Sequence, residues 1–154
     1  MMKESFEAIR VREVEVKYKT TQTLPEPRRI ANSSDIFNMF RDRMMRERVE
    51  IFCVLLVNSK NQLIGLDPVS RGSLSTSIVH PREVFSNAIR LQAAAIVLMH
   101  NHPSEDPAPS REDRDCTHRL NEAGKLLGVR VLDHVVFGAA DYYSFADAGQ
   151  MEGA

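Results

Sequence analysis

The feature that most constrains this sequence is an unbroken apolar run, Ala93 to Met99, that leads directly into the tripeptide His100-Asn101-His102. An apolar run of this length is typical of a strand buried on both faces, although periodicity alone also allows a buried helix. Side chains alternate between the two faces of a strand, so a strand that continues through His102 points His100 and His102 the same way. One cation can then contact both imidazole rings.

A carboxylate is expected to lie near the two imidazole rings as a third ligand. Three prolines within residues 103–109 predict an irregular loop, because proline cannot donate to a strand ladder. Ser110 then offers an N-cap hydroxyl followed by acidic residues, which predicts the start of a helix with Asp113 one turn inside it. Two imidazoles and one carboxylate are a common ligand set for catalytic zinc, with the fourth position left to water. The sequence therefore predicts a metal site formed by His100, His102 and Asp113.

A purely structural role is the alternative for the same residues. Ser110 and Asp113 resemble a variant capping box, and a histidine at the end of a buried strand is often a hydrogen-bonded core residue. However, a pair of imidazoles that faces one loop has little packing rationale, because burial of polar groups is costly without partners. Metal binding is therefore the favoured interpretation.

The spacing of these residues resembles a known signature. His100-x-His102, seven intervening residues, Ser110, two more residues and Asp113 are similar to the His-x-His-x7-Ser-x2-Asp pattern of the JAMM, or MPN-positive, zinc metalloproteases. From about residue 33 to 146 the chain resembles more narrowly the RadC-like JAB domain. Several separate blocks carry this narrower resemblance, in the family's order: His80 to Phe85, His100 to Ser104, Pro109 to Asp113, Ala123 to Gly128, and Asp133-His134.

The resemblance implies a zinc-dependent metallohydrolase of the metallopeptidase or isopeptidase type, which acts on a peptide or protein substrate. His100, His102 and Asp113 are the implied ligands of one zinc ion per chain. Water held by the metal would attack an amide carbonyl. Ser110 is the implied donor of a hydrogen bond to the oxyanion that forms during this attack.

A glutamate from an earlier strand is the general base that the resemblance implies. Glu50, at the head of the apolar segment Ile51 to Val57, is the best match, and Glu47 is the nearby alternative. A carboxylate at this place also has an independent rationale, since it can take a proton from water whose pKa a metal has lowered toward neutrality.

Glu105 departs from the family's pattern, in which glycine is usual at this position. If the backbone there requires a positive φ, a side chain costs conformational energy. A second carboxylate beside the site could also compete for the metal or repel an acidic substrate. The change leaves the ligand set intact and bears on activity.

Composition favours one globular domain, because 154 residues with 43% hydrophobic and 27% charged side chains can bury a substantial core. The start of the chain lacks an apolar signal core, and no stretch approaches the ~20 apolar residues of a membrane span. Cys53 and Cys116 are far apart, which excludes the Pro-Cys-x-x-Cys motif of nucleotide deaminases. These patterns predict a cytoplasmic protein with reduced thiols and no membrane partner.

Charge gives no support for a strong nucleic-acid partner. The chain has 20 basic and 21 acidic residues, with a formal net charge of -1, whereas nucleic-acid binding usually shows as a basic excess. The RadC resemblance nevertheless keeps one alternative open, a DNA-repair-associated accessory protein with little or no catalytic activity. No counterpart of the helix-hairpin-helix segment of longer RadC proteins is expected in this chain.

The chain is predicted to divide into an arm and one domain. Residues 1–32 are predicted to form an N-terminal arm with one strand. The strand is predicted between Val14 and Tyr18, where apolar and charged residues alternate. This arm is a candidate for pairing with a second copy in a homodimer. Residues 33–154 form the RadC-like JAB/MPN metal-binding domain, in which the tail from Ala146 is expected to fray.

Mixed helical and strand patterns set the expected fold. His134 lies in a β-branched strand and is predicted to be a hydrogen-bonded core histidine. Together the elements predict an α/β (α+β) single domain with a mixed sheet, and the resemblance implies the JAB/MPN fold, a curved mixed β-sheet flanked by helices. Besides the central run, strands are predicted over residues 50–57, 62–66, 74–79 and 129–138, and helices from about 33 to 44, 80 to 91 and 110 to 128.

Overall fold

A computed structural model describes residues 28–72 and 79–151, together with positions 15, 17, 19 and 26. Within these residues no helix is long and apolar enough to span a membrane. The elements follow one another as α1 (Ser33–Met45), β1 (Ile51–Val57), β2 (Leu63–Arg71), α2 (Pro81–Arg90), β3 (Ala95–Asn101), α3 (Arg111–Leu127), β4 (Arg130–Phe137) and β5 (Tyr142–Ser144).

The described strands form one mixed sheet in the order β2-β1-β3-β4-β5. Neighbouring strands are antiparallel except β3 and β4, which are parallel and are joined by α3 as the crossover that parallel pairing requires. Residues 95–99 of the apolar run, together with His100 and Asn101, form β3, the central strand, and every residue of this strand is buried. The structure thus confirms the predicted single α/β domain with a mixed sheet.

Local sequence signals explain where the helices begin and end. Asn32 caps α1, one residue before the predicted serine cluster, and accepts a hydrogen bond from the Asp35 amide at 3.0 Å. His80 is the N-cap of α2, with Pro81 at the first helical position, although its side chain makes no capping bond. α3 ends at Gly128, whose φ of 72° is the left-handed conformation that glycine adopts readily.

Side chains pack on both faces of the sheet. The face covered by α2 and α3 buries alternate residues of β1 and β3, among them Phe52, Val54, Leu56, Ile96 and Leu98. The face covered by α1 buries the intervening residues, among them Cys53, Leu55, Val57, Val97 and Met99. By the same alternation, His100 lies on the α3 face and Asn101 lies on the α1 face.

The beginning and the end of the described chain both pack on the domain. Arg29 forms a bridge with Gln62, and Ile30 is buried with the residues that α1 covers. The tail was expected to fray from Ala146, and this expectation is wrong for residues 146–151, because Met151 is buried against the α2 and α3 side of the core. The predicted strands at 14–18 and 74–79 lie essentially outside the described residues, and the boundary at residue 33 stays a prediction.

Gly124 allows α3 to approach β4 closely. A Cβ atom at this position would lie 2.5 Å from the carbonyl oxygen of Val129. We therefore expect Gly124→Ala to lower the free energy of unfolding by about 2 kcal/mol, measured by urea denaturation, because backbone must move to relieve the overlap. Leu126→Ala, at a position of the same helix that is 88% exposed, serves as control. Equal stability of the two variants would contradict this account of the packing.

Candidate metal centre

Three predicted side chains meet at the C-terminal end of β3. The Nε2 atoms of His100 and His102 are 3.0 Å apart. The Asp113 carboxylate completes the group, with Oδ1 3.2 Å from His100 Nε2 and Oδ2 3.2 Å from His102 Nε2. One ligand atom from each residue lies within 4.8 Å of the others. The structure therefore brings together the three residues that the sequence selected.

A capping box orients the Asp113 carboxylate. The Ser110 amide donates to Asp113 Oδ2 at 2.8 Å, and the Asp113 amide donates to Ser110 Oγ at 3.1 Å. The structural interpretation of this pair is thus confirmed, and it does not compete with a metal site. Because the cap fixes the first turn of α3, it aims the buried carboxylate at the two imidazoles.

The Nε2 atom of His102 faces His100 and Asp113 because the other ring nitrogen, Nδ1, is hydrogen-bonded to the loop after β3. Nδ1 lies 2.8 Å from the carbonyl oxygen of Asp106. A carbonyl only accepts hydrogen bonds, so a neutral ring carries its proton on Nδ1 and keeps its lone pair on Nε2. The loop after β3 thereby determines which nitrogen faces Asp113.

His100 has a second buried histidine behind it. Its Nδ1 is 2.7 Å from Nε2 of His134 in β4, and His134 Nδ1 is 2.6 Å from Oγ1 of Thr117 in α3. The prediction of His134 as a hydrogen-bonded core histidine is confirmed, since the residue is fully buried. Its contact with His100 was missed. The sequence does show a histidine within an apolar strand. That this strand lies beside β3 became known only from the sheet pairing.

The electrostatics of the site favour a shared cation. Burial alone would raise the pKa of Asp113, but hydrogen bonds with His100 and His102 outweigh burial and hold this pKa far below its usual range. The hydrogen bond to Asp113 raises the pKa of His102, and the Glu50 carboxylate acts in the same direction. Burial lowers the pKa of His134 well below its ordinary value, so that ring is neutral.

The spacing of the donor atoms is close to that of a tetrahedral metal site. Ligand atoms about 2.0 to 2.1 Å from zinc at tetrahedral angles lie roughly 3.3 to 3.4 Å apart. The separations of 3.0 and 3.2 Å among His100, His102 and Asp113 approach this spacing. Three groups that direct lone pairs at one point repel one another unless a proton or a metal ion lies between them.

The two candidate bases, Glu47 and Glu50, differ in their surroundings. Glu47 Oε2 lies 2.6 Å from Nη1 of Arg71 in an ion pair. In the antiparallel pair of β1 and β3, Phe52 lies opposite His100. Extending this register by two residues puts Glu50 opposite His102, with both side chains on the same face of the sheet. The influence of Glu50 on the pKa of His102 agrees with this placement. The register therefore favours Glu50 over Glu47 as the carboxylate beside the site.

Asn101 fixes the backbone that carries Glu50. Its side chain is fully buried, accepts from the Ile51 amide at 2.7 Å and donates to the carbonyl oxygen of Val49 at 3.1 Å. Both neighbours of Glu50 in the chain are thus tied to the central strand. Sequence reasoning did not select Asn101, although a buried amide within an apolar strand needs such partners.

Glu105 lies in the left-handed conformation that favours glycine. Its φ is 71°, and its amide donates to the carbonyl oxygen of His102 at 2.9 Å. Its own carbonyl oxygen accepts from the Ala139 amide at 3.3 Å. These bonds join the loop after β3 to the loop after β4, so the loop keeps its shape despite the side chain.

We expect Glu105→Gly to raise the free energy of unfolding by about 0.5 to 1 kcal/mol. This is the balance between left-handed strain of about 1 to 2 kcal/mol and the extra chain entropy of glycine of about 0.5 to 1 kcal/mol. Glu105→Ala keeps a Cβ atom and should leave the stability nearly unchanged. Urea denaturation of both variants measures the difference, and a loss of stability in the glycine variant would contradict the assignment of strain.

The fold and the site define an α/β domain with a His-His-Asp group, in which His100 and Asp113 are buried and His102 is partly exposed, that could hold a metal ion. The chain belongs to the RadC-like JAB domain family, whose match covers residues 30–150.

Close relatives agree with this assignment. A UPF0758 protein of Trichlorobacter lovleyi is 50% identical over 121 residues, which are 79% of this chain and 53% of that protein. A UPF0758 protein of Symbiobacterium thermophilum is 49% identical over 124 residues, with coverage of 80% and 53%. The chain therefore spans about half the length of the curated relatives it matches. Their names state no activity.

Proposed function

We propose that this domain is a zinc-dependent metallohydrolase of the metallopeptidase or isopeptidase type, which cleaves an amide bond in a peptide or protein substrate. The observation that carries the proposal is the convergence of His100, His102 and Asp113, whose donor atoms lie 3.0 to 3.2 Å apart, close to the spacing of a tetrahedral metal site. Membership of the RadC-like JAB domain family supports it.

His100 and His102 would hold the ion through Nε2, and Asp113 would hold it through its carboxylate. A zinc ion bound there supplies a Lewis acid and lowers the pKa of water toward neutrality. The capping box holds the carboxylate in place, and the Asp106 carbonyl keeps the His102 lone pair directed at the site. Little rearrangement of these side chains is needed on binding, which favours affinity.

Glu50 would act as the general base and then as the general acid. Its position opposite His102 allows its carboxylate to take a proton from the attacking water and to deliver it to the leaving amine. Ser110 would stabilise the oxyanion. Because its oxygen accepts from the Asp113 amide, its hydroxyl proton can be donated to negative charge on the substrate carbonyl.

The purified protein is expected to hold about one zinc ion per chain, and His102→Ala should lose most of it, because two remaining ligands bind zinc weakly. Elemental analysis after dialysis measures the content. His118→Ala is the matched control, since His118 is exposed on α3 and takes no part in the site. Unchanged zinc content in the His102 variant would overturn the ligand assignment.

Glu50→Gln should keep the zinc but lower the cleavage rate by about 10²- to 10⁴-fold, because the amide cannot take up the proton. The assay is hydrolysis of a peptide library and of an isopeptide-linked conjugate by the zinc-loaded protein. Glu47→Gln, which removes the ion pair with Arg71, should retain the rate. If the Glu47 variant loses activity while the Glu50 variant keeps it, the two roles are reversed.

A further inference from the structure

Of the three candidate ligands, His102 alone lies outside a helix or strand. His100 belongs to β3, which ends at Asn101, and Asp113 lies in the first turn of α3. Regular hydrogen bonding fixes the backbone of those two ligands. The position of His102 depends instead on the loop that follows β3.

The turn that joins β4 to β5 (residues 138–141) holds this loop through hydrogen bonds of the main chain. The His102 amide donates to the carbonyl oxygen of Phe137, at the end of β4, with a distance of 2.9 Å. The Ala139 amide donates to the carbonyl oxygen of Glu105 at 3.3 Å. The start and the middle of the loop are therefore both attached to this part of the chain.

Gly138 lets the turn and the loop approach each other closely. A Cβ atom at this position would lie 2.5 Å from the carbonyl oxygen of Glu105 and 2.8 Å from Cδ of Pro107. Neither atom belongs to a side chain that can rotate away, because one is main chain and the other lies in a ring closed on the backbone nitrogen. Any side chain at position 138 therefore pushes the loop away from the turn.

The part of the loop that Gly138 contacts is also the part that holds the His102 ring. Asp106 lies between Glu105 and Pro107, and its carbonyl oxygen is 2.8 Å from Nδ1 of His102. Displacement of the residues on both sides of Asp106 would move this carbonyl. The packing of Gly138 thus reaches the candidate ligand through one intervening residue.

Arg41 fixes the turn to α1. Its Nε donates to the carbonyl oxygen of Ala139 at 2.8 Å, and the charge of the guanidinium strengthens this bond. The helix is itself anchored, because Ile36, Phe40 and Met44 are buried. Ala139 therefore joins α1, through its carbonyl oxygen, to the loop after β3, through its amide.

We propose that Gly138 and Arg41 are positioning residues for the candidate ligand His102. Gly138 lets the turn seat the loop, and Arg41 holds the turn in place. The Asp106 carbonyl then keeps the imidazole ring directed into the site. In its metal aspect the inference rests on the proposed function, whereas the contacts themselves join only residues of the chain. Partners that orient a metal ligand typically change metal affinity by about 10- to 100-fold when they are removed.

Gly138→Ala and Gly124→Ala form a matched pair of variants. Each adds one methyl group, and each places it 2.5 Å from a carbonyl oxygen of the main chain. Gly124 meets Val129, just before β4, whereas Gly138 comes directly after β4, so the two overlaps lie at opposite ends of this strand. Both variants should lose stability in urea denaturation, but only Gly138→Ala should disturb the loop that holds His102.

The first measurement is amide hydrogen exchange, followed by NMR in the metal-free protein. The Glu105 and Ala139 amides should exchange about tenfold faster, or more, in Gly138→Ala than in Gly124→Ala, because the overlap opens the loop locally. Equal exchange of these amides in the two variants would reflect overall stability alone and would overturn the proposal.

The second measurement is zinc affinity by competition with a chelator. Gly138→Ala should weaken zinc binding by about 10- to 100-fold. Gly124→Ala should stay within about threefold of the wild type, because distant sites contribute almost independently. A Gly138 variant that loses stability but keeps its zinc affinity would show a merely structural role. If the wild type itself binds no zinc, the proposed function fails, and amide exchange alone decides whether the turn holds the loop.

Arg41→Ala tests the same contact without a change in the core, since Arg41 is exposed and the variant should fold even if Gly138→Ala does not. It should speed exchange of the Ala139 amide and weaken zinc binding by about tenfold, the lower end of the range, because the arginine acts through the turn. Arg43→Ala removes an exposed arginine of the same helix and serves as control. Identical behaviour of the two arginine variants would overturn the role of Arg41.

Discussion

The alternation of side chains at the end of β3 is the constraint on which the rest of the site depends. Because β3 is the central strand and is buried on both faces, each polar residue at its end must find a partner inside the protein. His100 points toward α3 and meets Asp113 and His134. Asn101 points the other way and binds the chain just before β1. Successive residues thus support the candidate ligand group on one face and the segment that carries Glu50 on the other.

The first turn of α3 combines a structural task with a chemical one. A capping box usually serves only to satisfy the free amides of a helix. In this chain the capping carboxylate of Asp113 also contacts both imidazole rings. The hydrogen bonds that stabilise the helix end therefore also hold this carboxylate beside His100 and His102. Thr117, one turn further, joins the same helix to His134. In the proposed function the first turn of α3 therefore positions one of the metal ligands, Asp113.

Much of the fold followed from local patterns. The apolar run, the proline-rich loop, the cap at Ser110 and the glycine at position 128 predicted β3, α3 and their connection, because each signal acts within a few residues. The tail was predicted wrongly for the converse reason. Its small and polar residues resemble a frayed end, but Met151 finds an apolar site that distant elements create. A local pattern contains no information about such a site.

At the candidate site the sequence by itself selected the three candidate ligand residues, and it marked Glu105 as a position where a positive φ would cost energy. Only the tertiary structure decided how those ligand residues are supported. It favoured Glu50 over Glu47 through the register of β1 against β3, and it placed His134 behind His100, 34 residues away in the chain. Such contacts depend on which strands become neighbours and in what register. Strand order and register depend on how the whole sheet packs between its helices. The alternation of side chains along a strand, or the cap of a helix, depends only on neighbouring residues.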